Sequence, residues 1–210
     1  MLPFRNCDTL MKQKAAIPAS LLDKRKASAL IETWFEIVHL KQLFRQGWIK
    51  RGMASGDCET VAEHTFGNAM LCLLLLPDRP ELDGHKALRL ALVHDIGEVH
   101  VGDITPQDKI PRAEKIRRET AAIHQIFGKL PGGEQLIDDW LEYESQSTPE
   151  ARFVKEIDRL ELAMQASVYQ LQGKVNAEEF LNAAEQHVTS ATLVEHLAGL
   201  RALGLPTKGE

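Results

Sequence analysis

The stretch ALVHDIGEVHVGDITP, residues 91–106, constrains this chain more than any other. Leu88, Leu90, Ala91, Leu92 and Val93 have the character of a helix buried in a core. The next turns then supply His94, Asp95, Glu98, His100 and Asp103. Burying one unpartnered charge costs several kcal/mol, so titratable groups at the end of a core helix require a mutual network or a metal ion.

The rest of the chain is helical in pattern. Apolar residues recur near helical spacing from Ser20 through Leu22, Leu30, Trp34, Ile37, Val38, Leu40 and Leu43 to Gly47, which predicts one long helix. A second is expected over 61–76 and a third from about Asp83 through the opening stretch. Gly102 breaks the third, and Thr105 with Pro106 gives a cap and a favoured first helical position. Further helices are expected over 111–128 and 134–144, from the Thr148-Pro149 cap to about Gln172, after an Asn176/Glu179 capping box, and over 190–203. No sustained alternation of β-branched residues occurs, so the expected fold class is all-α. Residues 1–19, with Pro3 and Pro18, read as a loosely attached extension, and 20–205 as one domain.

Composition narrows the function. A chain of 210 residues, 44% hydrophobic and 26% charged, suits one compact soluble unit. A net charge of −5 leaves no basic footprint, so neither nucleic acid nor an anionic membrane is an expected partner. The longest apolar run, MLCLLLL at 70–76, is far short of the ~20 residues of a membrane span. Cys7, Cys58 and Cys72 form no CxxC pair, which indicates neither a disulfide framework nor a cysteine zinc site and makes a reducing, cytoplasmic setting the expectation. No targeting segment is evident at the N-terminus.

Ligand candidates lie on two other predicted helices. TVAEHTF at 60–66 puts His64 in the first turns of one. FVKEIDRLEL at 153–162 sets Asp158 among Phe153, Val154, Ile157, Leu160 and Leu162, where a poor helix former asks for a reason. Taken alone, His64 could be a hydrogen-bonded core histidine, and Asp158 a surface partner of Lys155 or Arg159. His100, His124, His187 and His196 have no company that would make them ligands. Imidazole with carboxylate suits Zn, Mn, Fe, Co or Ni better than the all-oxygen surroundings Mg prefers.

In chain order, His64, then His94-Asp95, then Asp158 resembles the H…HD…D signature of the HD-domain metal-dependent phosphohydrolases. The segments LKQLFRQGWIKRG, ETVAEHTFGNAML, LALVHDIGEVHVGDITP and TPEARFVKEIDRLELAMQA are similar to the 5′-deoxynucleotidase branch over roughly residues 28–200. The resemblance implies a helical bundle around a divalent metal, usually a homodimer, that hydrolyses deoxyribonucleoside 5′-monophosphates. It implies His64, His94, Asp95 and Asp158 as metal ligands and Glu98 as the catalytic carboxylate. Arg45 and Trp48 would hold phosphate and sugar, and Asp103 would touch substrate or share a second ion with Glu98; by charge alone, Arg51 or Lys155 could help Arg45 clamp the phosphate. From the residues alone, Arg45 is equally a solvated charge near a helix end and Trp48 equally a core aromatic. Here QG separates Arg45 from Trp48, whereas in some relatives the Arg and Trp are adjacent. The competing readings are hydrolysis of a cyclic nucleotide or nucleoside triphosphate at the same metal, and a non-catalytic nucleotide-sensing module. Retention of Glu98 and Asp103 speaks against the last.

Overall fold

The computed structural model describes residues 12–204. Ten α-helices make up the described part: α1 Ala29–Ile37, α2 Gln46–Ile49, α3 Val61–Leu75, α4 Gly84–Val93, α5 Glu98–Val101, α6 Arg112–Phe127, α7 Gly133–Ser145, α8 Pro149–Leu171, α9 Glu178–His187 and α10 Ala191–Ala202. Among the described residues β-pairing is confined to two isolated bridges, Gln13 with Leu43 and Phe44 with Thr60. No helix there is long and apolar enough to cross a membrane.

The long helix α8 is the axis. It packs against α3, α4, α7, α9 and α10, and Ala151, Val154, Ile157, Leu160 and Ala163 on its inner face are completely buried. Trimming such a residue, Ile157→Ala for instance, costs roughly 2–5 kcal/mol. Its start follows the chemistry of the sequence: the Thr148 hydroxyl accepts the Ala151 N–H and Pro149 occupies the first turn. At α3, Thr60 and Glu63 form a reciprocal capping box, which sets where His64 enters the core.

Three expectations are corrected. The single helix expected from Ser20 to Gly47 is instead a 3-10 turn at Pro18–Leu22, α1, a second 3-10 turn at Val38–Lys41 and the short α2. Ser28 caps a new start, and the backbone at Leu43 and Phe44 is taken by bridge pairing. The third helix stops at Val93: the amides of Ile96, Glu98 and Val99 bond three residues back rather than four, a tighter winding. Asn176 accepts from the Glu178 amide without forming a box with Glu179, which pairs with Arg51.

Of the extension expected at 1–19, residues 1–11 lie outside the described residues. Lys12 and Lys14 are tied by backbone hydrogen bonds to the Gln46 side chain and the Gln42 carbonyl.

Candidate metal centre

Three segments bring the site together. His64, on the second turn of α3, is completely buried. Asp158 lies on the facing side of α8, and His94 and Asp95 occupy the tight turn between α4 and α5. That turn is pressed against α6: a Cβ on Gly97 would stand 2.9 Å from Glu119 Cβ, so only glycine lets the two backbones meet.

The histidine nitrogens are assigned by their neighbours. His94 Nδ1 is 2.8 Å from the Ala91 carbonyl, which can only accept, so Nδ1 carries the proton and Nε2 a lone pair. His64 Nδ1 is 2.6 Å from Glu161 Oε2, with the same consequence. Both lone pairs therefore point inward. His64 Nε2 is 3.2 Å from Asp158 Oδ1, 3.4 Å from His94 Nε2 and 3.7 Å from Asp95 Oδ2, and the last two are 3.2 Å apart. Asp95 Oδ2 is fully covered and accepts no hydrogen bond.

With both histidines neutral, four acceptors converge, and only a proton on His64 or a bound cation can relieve them. Ligands held at 2.0–2.2 Å from one ion are themselves roughly 3–3.6 Å apart, so these separations fit a bound divalent cation. His64, His94 and Asp158 also meet the distance condition for one shared ion. The electrostatics agree. Burial and the Arg45 charge oppose a proton on His64, yet Glu161 and Asp158 overcome both and push its pKa up to about 10. Burial raises Asp158, but Lys155 and His64 hold it well below the usual carboxylate range. The site demands positive charge.

Beside the ligands stand two further groups. Glu98 is 3% exposed, and its Oε2 has no hydrogen-bond partner. Burial, reinforced by the charges of Asp95 and Asp103, raises its pKa well above the ordinary value. Arg45 reaches in from the residue before α2, with Nη1 3.1 Å from Asp103 Oδ1 and 3.8 Å from Asp95 Oδ2. Burial works against its charge, while Asp103 and Asp95 more than restore it. Asp103 also accepts the Gln46 amide at 2.6 Å, so one carboxylate holds both the Arg45 head and the amide of the residue that follows it.

Other expected residues sit elsewhere. Trp48 is 1% exposed, donates Nε1–H to Glu59 at 2.8 Å and packs on Tyr169 and Phe180, so it presents a core ring and no open face. Arg51 is drawn away by Glu179 and lies over Phe180. Lys155 stays at the edge, 3.1 Å from Asp158 and 2.9 Å from the Tyr143 hydroxyl.

Several members were not foreseen. Glu161 lies three residues after Asp158, a spacing that puts both on one helix face and could have revealed it. Trp140 donates Nε1–H to the His94 carbonyl at 3.1 Å, and the Tyr143 hydroxyl lies 3.3 Å from Asp158 Oδ2. Lys115 on α6, near Glu119 at 3.5 Å, has its pKa raised against burial by Glu119, Glu98, Asp95 and Asp103. Nothing in the sequence marks these three.

An all-helical bundle with a His/His-Asp/Asp centre at the meeting of three helical segments is the architecture of the HD type. The chain belongs to the HD domain family, whose model matches residues 37–198. Human 5′-deoxynucleotidase HDDC2 is 38% identical over 158 residues, 74% of this chain and 76% of that protein. The Saccharomyces cerevisiae 5′-deoxynucleotidase YGK1 is 36% identical over 152 residues, 69% of each chain. Among solved structures, a Pyrococcus horikoshii protein superposes with a TM-score of 0.69 at 30% identity, covering 82% of this chain and 99% of that one. A protein described as a predicted metal-dependent phosphohydrolase from Magnetospirillum magnetotacticum has a TM-score of 0.65 at 26% identity, covering 83% and 93%.

Proposed function

We propose that this chain is a metal-dependent phosphomonoesterase that converts deoxyribonucleoside 5′-monophosphates to deoxynucleoside and phosphate. The observation that carries the reading is the placement of a buried carboxyl, Glu98, whose Oε2 has no hydrogen-bond partner, and a fixed guanidinium, Arg45, around four converging donor atoms. His64, His94, Asp95 and Asp158 would hold a divalent ion, and the imidazole-carboxylate set favours a transition metal over Mg. When bound, such an ion supplies Lewis acidity and makes water nucleophilic near neutral pH.

The protein groups then have distinct tasks. Arg45 binds the phosphate oxygens through its planar fork and opposes their charge. Asp103 keeps that fork in place. As the water oxygen bonds to phosphorus and the P–O5′ bond breaks, Glu98 would give its proton to the departing O5′ and take one from the attacking water, which releases hydrogen phosphate and restores the carboxyl. The test is phosphate release from a panel of nucleotides, with and without added divalent ions. Deoxyribonucleoside 5′-monophosphates are expected to be cleaved, with ribonucleotides and 3′-monophosphates poorer. A metal-loaded protein that ignores every 5′-monophosphate and cleaves a cyclic nucleotide or triphosphate would overturn the assignment.

The reading extends to the setting. Buried free thiols at Cys58 and Cys72 fit a reducing compartment, so we place the enzyme in the cytoplasm. The net charge of −5 fits a small nucleotide as partner in place of nucleic acid. A homodimer is favoured by the outer face of α3, where Phe66, Met70, Leu73 and Leu74 are exposed in one stripe. Phe180, Leu181, Ala184 and Val188 of the C-terminal segment are instead buried within the chain.

A further inference from the structure

His64 faces two ways. Its Nε2 points at Asp158 and His94, and its Nδ1 points at Glu161. Glu59, His64 and Glu161 also lie close enough together to suggest a second cluster of ligand atoms. The spacing decides against an ion there. His64 Nδ1 and Glu161 Oε2 are only 2.6 Å apart, whereas two atoms bound to one ion at 2.0–2.2 Å stand roughly 3 Å or more apart. A shared proton fills that gap.

A second observation marks Glu161 as specially accommodated. Gly67 lies within α3, one turn after His64, where glycine is a poor helix former. A Cβ at Gly67 would stand 2.5 Å from Glu161 Oε1 and 3.2 Å from its carboxyl carbon. The missing side chain is the seat of the carboxylate. Asp158 and Glu161 are three residues apart on α8, so one helix face supplies both a ligand and the group that aims a ligand from α3.

We propose that Glu161, seated against Gly67, is the positioning residue of the metal centre: by accepting the Nδ1–H of His64 it fixes the tautomer and the ring angle that present Nε2 to the ion. The inference rests on the metal reading given above. Partners of this kind on a ligating histidine raise its basicity and hold its orientation, and their loss typically weakens metal binding 10–100-fold.

The experiment uses Co²⁺ as the probe, with affinity measured by competition against a chelator and geometry by the visible spectrum of the bound ion. In Glu161→Gln the size of the side chain is kept and the charge is lost, and Co²⁺ affinity is expected to fall about 10–100-fold with helicity unchanged. Excess Co²⁺ should restore most of the turnover. Gly67→Ala, which displaces the carboxylate without altering any ligand, should weaken Co²⁺ in the same direction and change its spectrum. A folded variant of either kind that binds Co²⁺ as tightly as the wild type overturns the proposal, and if Glu161→Gln does not fold, Gly67→Ala decides. Should the wild-type protein itself take up no divalent ion, the metal reading fails first, and this proposal falls with it.

Discussion

Arg45 and Asp103 meet beside the candidate metal centre, Nη1 to Oδ1 at 3.1 Å, with both side chains largely covered. The carboxylate accepts from the guanidinium with one oxygen and from the Gln46 amide with the other. In the proposed reading the guanidinium also donates to the substrate phosphate, and a hydrogen bond to a charged group is worth about 1.5–3 kcal/mol. Arg45→Ala should therefore lower kcat/KM for a 5′-monophosphate by roughly 10–150-fold while bound metal, measured by elemental analysis, stays the same.

Glu98→Gln keeps the shape of the side chain and removes the transferable proton. Because burial already disfavours the charged form of the native carboxyl, the amide should be tolerated in the folded state. Turnover should drop by about 10²- to 10⁴-fold with full metal occupancy. Unchanged turnover in a well-folded variant would remove Glu98 from the mechanism.

His94→Ala and Asp95→Ala each delete an inward-facing acceptor. Both variants should remain helical, retain little divalent ion after dialysis and show no turnover. Full metal content in both would refute the ligand assignment.

Trp48 separates a core role from a substrate role. Trp48→Phe removes the Nε1–H that Glu59 accepts, leaving a buried carboxyl short of a partner. Stability to urea should fall by about 1–3 kcal/mol, with KM for nucleotide nearly unchanged. A large rise in KM without loss of stability would place the indole at the sugar instead.

The pH dependence of stability has a specific source in Glu119. Burial raises its pKa to about 7 from the ordinary 4.5, with Lys115 offsetting part of the effect. Between those values the native state holds a proton that the unfolded chain has lost, so this contribution is fully present below pH 4.5 and disappears as the pH rises through 7. Stability measured by urea unfolding should fall from pH 5 to pH 8, and Glu119→Gln should flatten that fall. An unaltered slope in the variant would assign the pH dependence to other groups.

The sequence carried the candidate ligands because metal chemistry restricts residue types: His64, His94, Asp95 and Asp158 stand out as a spaced set, and the structure draws their donor atoms together. The helix start with a chemical marker at Thr148 was equally legible, whereas the Thr60 cap was found only in the structure. What escaped depended on packing. The break after Ile37 and the tight turn after Val93 follow from backbone pairing and from the approach of α6 to Gly97, which leave no local pattern. Nothing local marks Trp140 and Tyr143, and only the fold turns their polar ends toward His94 and Asp158.

His64 and Asp158 belong to segments about half the domain apart in sequence, yet their donor atoms stand 3.2 Å apart. Closing so long a loop is entropically costly and must wait until α3 and α8 have docked. The centre is therefore absent from early collapsed chains and comes into being late, with the final packing of the bundle. Metal capture during refolding should lag behind the gain of helicity, and a chain that binds its ion has already completed its fold.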